Sequence, residues 1–136
     1  MNHYQNIDEL THAVIGCAME VHNVLVPGFL ESIYQNALAL ELAAKKINFE
    51  QAIKLHVRYK GRYLGDYEAD MKVEDCVLLE LKAVSTLLVQ HEAQLVNYLR
   101  ATGIGTGLLI NFGHRSLQVK RKFAQSRPSI SSSCES

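Results

Sequence analysis

Apolar residues recur at helical spacing through Leu10, Val14, Cys17, Ala18, Val21 and Leu25, which predicts a helix over residues 8–25 with Asn6 or Asp8 as its N-cap. Pro27 and Gly28 interrupt that period. It resumes from Leu30 to Lys46, about four turns, with Ile33, Ala37, Leu40 and Ala44 expected to form the apolar stripe. From Asn48 to Tyr59 the period falls to two, with Phe49, Ile53, Leu55 and Val57 alternating against Glu50, Lys54, His56 and Arg58. Lys60 and Gly61 supply a turn, and a second strand follows through Tyr63 and Tyr67 to Val73. Glu74 and Asp75 turn the chain again into a third strand ending at Lys82, so a three-stranded meander is expected.

Residues 83–89 read as a loop and His91 to Ala101 as a helix. Gly103, Gly105 and Gly107 end a helix and precede a strand, so they are a C-cap and connector and not a phosphate-cradling loop. Leu108 to Phe112 is a short buried strand, parallel to the strand before the helix because a helix links the two. Leu117 to Phe123 adds a basic edge strand. The chain of 136 residues suits one domain over residues 1–124, and the Ser-rich segment 125–136 is expected to be disordered.

Composition narrows the class. The chain is 48% hydrophobic and 21% charged, values that suit a soluble globular core. Its three cysteines are odd in number and lack paired ligand spacing, so neither a disulfide framework nor a zinc site is expected. A polar N-terminus and the lack of any long apolar run point to a cytoplasmic protein with no membrane association. Net charge is +0, yet it is unevenly spread. After Glu92 no acid occurs until Glu135, while Arg100, Arg115, Lys120, Arg121, Lys122 and Arg127 lie between them. Such a basic C-terminal third is compatible with a polyanion on one side of the molecule, or with a solvated strand and tail.

The chemistry concentrates between Asp70 and Lys82. Strand alternation puts Glu80 and Lys82 on one face and Leu79, Leu81 and Ala83 on the other. Hairpin pairing brings Asp70 to the same place. An isolated Glu-x-Lys is most simply a surface salt bridge; two carboxylates and a lysine together also suit a hard cation that shares oxygen ligands with phosphate. Glu31 falls in the first turn of the second helix, where the helix dipole favours a carboxylate, and Tyr34 lies three residues on. Gln94 and Tyr98 share a face of the later helix. His12 and His22 do not share one, which disfavours a common metal.

The order of these elements, with Gly28-Phe-Leu-Glu31-Ser-Ile-Tyr34, Tyr67-Glu-Ala-Asp70, Glu80-Leu-Lys-Ala83, His91-Glu-Ala-Gln94-Leu-Val-Asn-Tyr98-Leu and Leu108-Leu-Ile-Asn-Phe-Gly113, resembles the GxxExxY protein family over roughly residues 8–123. That family is placed in the PD-(D/E)XK nuclease superfamily. The resemblance implies an α/β fold with a restriction-endonuclease-like αβββαβ core, a mixed sheet flanked by helices, and an extra N-terminal helix. It implies Mg²⁺ or Mn²⁺ held by Asp70, Glu80 and the carbonyl of Leu81, with Lys82 catalytic and Glu31 an additional acid. Gln94 and Tyr98 resemble the Gln-x-x-x-Tyr motif of RecB-like nucleases, which orients substrate or the lysine, and His91 is auxiliary. Ala69 stands where the superfamily's name has proline.

The function so implied is metal-dependent hydrolysis of nucleic acid phosphodiesters, with DNA the expected substrate and structure- or end-directed action. Arg115, Lys120, Arg121 and Lys122 would hold flanking phosphates. A homodimer or a protein partner would help so small a chain hold duplex. The alternative is a non-catalytic module that keeps the nuclease fold and binds nucleic acid or protein.

Overall fold

The computed structural model describes residues 4–124, so the Ser-rich segment and Cys134 lie outside the described residues. Helix α1 (Ile7–Leu25) is capped by Asn6, whose side chain accepts the Glu9 N–H at 2.9 Å. Helix α2 (Glu31–Ala44) follows the Pro27-Gly28 break. Strands β1 (Phe49–Tyr59), β2 (Arg62–Val73) and β3 (Val77–Lys82) form the meander, α3 (Val89–Thr102) crosses over, and β4 (Thr106–Asn111) and β5 (Gln118–Phe123) complete the sheet. Strand order is β1-β2-β3-β4-β5; only β3 and β4 run parallel. Gly103 closes α3 in the left-handed conformation and donates to the Leu99 carbonyl.

Both hairpin turns have positive φ at their two central residues, 49° and 79° at Lys60-Gly61 and 53° and 58° at Glu74-Asp75. Such turns match the right-handed twist of the strands they join. At the second, the Glu74 carboxylate and carbonyl-facing N–H pair with the Asn48 backbone, which ties the turn to the start of β1.

Helices α1 and α2 cover one face of the sheet and α3 the other. The first layer packs Val14, Cys17, Leu38 and Leu42 against Met71, Leu79, Leu81 and Ile110; the second packs Leu95 and Leu99 against Leu78 and Leu109. Among the described residues no helix is long and apolar enough to cross a membrane.

The α2 stripe differs from the one expected. Tyr34, Leu38 and Leu42 are buried, while Ile33 is 42% and Leu40 is 73% exposed. Tyr34 decides this rotation. Its hydroxyl donates to the Val26 carbonyl at 2.6 Å and accepts from the Phe29 N–H at 3.1 Å, and its ring stacks on Phe112 at 5.0 Å. Two hydrogen bonds to the α1–α2 connection and the stack on Phe112 outweigh the apolar area of one leucine, and Glu31 and Gln35 are thereby turned toward β2.

Candidate active site

Strands β2 and β3 pair only through Met71–Val73 and Val77–Leu79. Beyond that point β2 leaves β3 and runs on with β1 as a free hairpin arm. Ala52, opposite the departure point, has φ 55°, and the arm changes layers there: Phe49 packs with the α1–α2 layer, whereas Ile53 and Leu55 pack with the α3 layer. A parting sheet leaves backbone N–H groups without ladder partners. Two carboxylates supply them. Asp70 Oδ2 accepts the Leu81 N–H at 2.7 Å, and Glu80 Oε1 accepts the Asp70 N–H at 3.3 Å.

Around this pair three elements converge. From α2, Gln35 donates to the Asp70 carbonyl at 3.2 Å, and Glu31 feels the charges of Asp70 and Lys82. From α3, the Tyr98 ring stacks on Tyr67 at 3.3 Å between centroids, and the Tyr67 hydroxyl favours the charged form of the Glu80 carboxylate. From β3, Lys82 shares the Glu80 face, half-exposed.

Burial dominates the electrostatics. Glu80, 7% exposed, is pushed up to about 7 by desolvation, with the Asp70 charge adding and the Tyr67 hydroxyl and Lys82 opposing. Desolvation also raises Asp70 and Glu31, and Lys82 lowers both without cancelling it. Burial and the nearby Glu80 carboxylate push the Tyr67 hydroxyl up, so it stays protonated. The chain therefore gathers three acids whose negative charge its single lysine does not balance. That donor set, hard oxygens with a cation deficit, fits Mg²⁺ or Mn²⁺. Among the described residues no three His, Cys, Asp or Glu side chains are grouped closely enough to hold a metal alone, so remaining ligands would come from the Leu81 carbonyl, water and phosphate.

Residues 8–122 match the PD-(D/E)XK nuclease superfamily. The chain belongs to it. A PD-(D/E)XK chain with this α/β layering also resembles a solved structure, the crystal structure of SSO0001, with a TM-score of 0.57 and 17% sequence identity. The match covers 71% of this chain and 50% of that one, so this chain's matched part spans half of its length, and at that identity the likeness concerns fold alone. No curated protein matches the sequence.

The structure brings Glu31, Asp70, Glu80, Lys82 and Tyr98 together around the parting of this PD-(D/E)XK sheet. Gln94 lies exposed one turn before Tyr98. His91 is used locally: its Nδ1 accepts the Leu88 N–H at 3.1 Å and caps α3. Of the basic residues, Arg115 and Lys120 are exposed, whereas Arg121 pairs with Asp8 and Lys122 with Glu92.

Three contributors carried no role in the sequence reading. Tyr67 meets the Glu80 carboxylate because the sheet parts where it does, and Gln35 reaches the Asp70 carbonyl because Tyr34 sets the rotation of α2. Asn111 is fully buried and pins the loop after Lys82, accepting the Val84 N–H at 2.9 Å and donating to the Val84 carbonyl at 2.8 Å and to Gln118 at 2.8 Å. Gly113 lets that loop approach: a Cβ there would stand 2.5 Å from the Val84 backbone. The signal for Asn111 was a lone amide ending an apolar strand, a position where an unpaired polar group is costly.

Proposed function

We propose that the chain is a divalent-metal-dependent nuclease of the GxxExxY kind, hydrolysing phosphodiester bonds in nucleic acid with DNA the favoured substrate. The observation that carries this reading is the reciprocal capping of Asp70 and Glu80 beside Lys82 and Glu31, which leaves carboxylate oxygens crowded in a desolvated place without a balancing charge. Asp70, Glu80 and the Leu81 carbonyl would hold the metal, which supplies a polarised phosphate and an acidified water. The chain's own part is positional. Lys82 donates hydrogen bonds to the attacking water or to a phosphate oxygen as charge builds there. Tyr67 fixes the Glu80 carboxylate, Tyr98 braces Tyr67, and Glu31 receives or releases a proton at its carboxylate. Gln94 contacts substrate from the exposed face of α3. Arg115 and Lys120 add to phosphate binding, and a homodimer or partner protein would complete the grip on duplex. Cys17 is a buried free thiol, whereas Cys76 is disulfide-bonded, a departure from the expected lack of disulfides.

Mn²⁺ titration by calorimetry tests the reading without a choice of substrate. Wild type should bind the metal and an Asp70→Asn, Glu80→Gln double variant should not. Equal binding by both proteins would overturn the assignment of these ligands. The non-catalytic alternative draws on one observation, the lack among the described residues of a three-side-chain metal group. It predicts nucleic acid binding with no metal-dependent cleavage by wild type.

A further inference from the structure

The hairpin arm that begins at the site ends in a surface that metal chemistry does not use. From Arg58 to Leu64 every residue is exposed, and the segment Arg58-Tyr-Lys60-Gly-Arg62-Tyr-Leu64 contains three cations, two tyrosines and no acid. Leu64 is the unpaired residue of a bulge: Val57 pairs with Gly65 but Arg58 with Tyr63. Residues directly opposite in an antiparallel pair share a face. Arg58 therefore sits beside Tyr63 on one face of the tip, and Tyr59 beside Arg62 on the other, with the Lys60 ammonium 5.3 Å from the Tyr59 ring. Each face presents a cation next to an aromatic ring.

Edge protection is the plain account of charge on a long outer strand, and it explains Lys54 and His56, which lie opposite Glu68 and Asp66. It does not explain a tip of one sign with two half-exposed rings. Among the described residues none of Arg58, Lys60 and Arg62 forms an ion pair, in contrast to Arg121 and Lys122. The arm's base is braced by Ile53, Leu55 and Tyr67 against α3, and the tip lies eight residues beyond Asp70, roughly 27 Å of extended strand.

We propose that this tip binds a single-stranded stretch of the nucleic acid substrate, phosphates on Arg58, Lys60 and Arg62 and unpaired bases on Tyr59 and Tyr63. A basic track with interleaved aromatic rings suits that ligand, because every base has a stacking face whatever its identity. The inference rests on the nuclease reading and names the substrate form the site would receive.

The test is fluorescence anisotropy in EDTA with labelled oligothymidylate and a labelled duplex, across roughly 50 to 200 mM salt. Wild type should favour the single strand. An Arg58→Ser, Lys60→Ser, Arg62→Ser variant should lose affinity roughly tenfold or more and flatten the log–log salt slope by about 2. Arg58→Lys with Arg62→Lys should keep the slope, and Tyr59→Ser with Tyr63→Ser should abolish the preference for single strand while leaving the slope. An unchanged slope in the serine triple variant overturns the proposal, as does wild-type protein that binds neither probe. No turnover or metal enters this assay, so failure here is distinct from failure of the Mn²⁺ titration.

Discussion

Asp70 and Glu80 each satisfy a backbone N–H exposed where their strands part, Asp70 that of Leu81 and Glu80 that of Asp70 itself. The same two side chains thus close the end of a ladder and form the proposed metal ligands. Carboxylates that accept N–H bonds are held in place before substrate arrives, and their geometry is set by main chain and not by flexible partners.

Lys82→Ala should remove metal-dependent cleavage, with a fall of roughly 100-fold or more in single-turnover rate if it stabilises developing charge. The lysine is half-exposed at the end of β3, so thermal stability should change little. Retained cleavage by a folded variant would remove Lys82 from the mechanism.

The metal-free protein should lose stability as pH rises from about 4.5 to about 7. Folded Glu80 holds its proton up to about 7, whereas the unfolded carboxyl releases it near 4.5. The folded state therefore binds more protons in that window, and stability present below it is lost across it. The size is on the order of 3 kcal/mol for Glu80, and Asp70 and Glu31 act in the same direction. Asp66 and Glu92 are shifted down and so contribute below the window. Chemical denaturation at pH 5 and pH 8 measures the difference, which Glu80→Gln should largely abolish and added Mn²⁺ should offset at pH 8.

Gly113→Ala should destabilise by about 1–3 kcal/mol, because the new methyl meets the backbone of Val84 and not a flexible side chain. The displaced loop begins directly after Lys82, so cleavage should fall further than substrate affinity. Asn111→Leu should act on the same loop by leaving the Val84 N–H and C=O without their partner. Wild-type stability in both variants, read from urea unfolding, would show that the loop is not held this way.

Tyr34→Phe keeps the stack on Phe112 but deletes the hydroxyl that joins Val26 to Phe29. A loss of about 1–2 kcal/mol is expected. Because Glu31 opens the same helix, the rate of cleavage should fall as well; unaltered cleavage would separate the α1–α2 connection from the site.

The sequence by itself determined the elements and their order, because periods of 3.6 and 2 and the turn pairs Lys60-Gly61 and Glu74-Asp75 are local properties of the chain. It also singled out Asp70, Glu80 and Lys82, since alternation along β3 and the hairpin between β2 and β3 put them together without reference to any other element. Tertiary structure decided the rest. The buried stripe of α2 follows Tyr34 and not Leu40, because the tyrosine's partners lie in the preceding connection and in Phe112, far apart in the chain. Tyr67, Gln35 and Asn111 acquire roles from the point where β2 leaves β3, from the rotation of α2 and from the closeness of Gly113 to Val84, which no local pattern records. Arg121 and Lys122 look like free cations in sequence, yet Asp8 and Glu92 reach them across the fold. Pairing, burial and charge neutralisation between distant segments are properties of the packed layers, and only those layers decide which charges are left for a ligand.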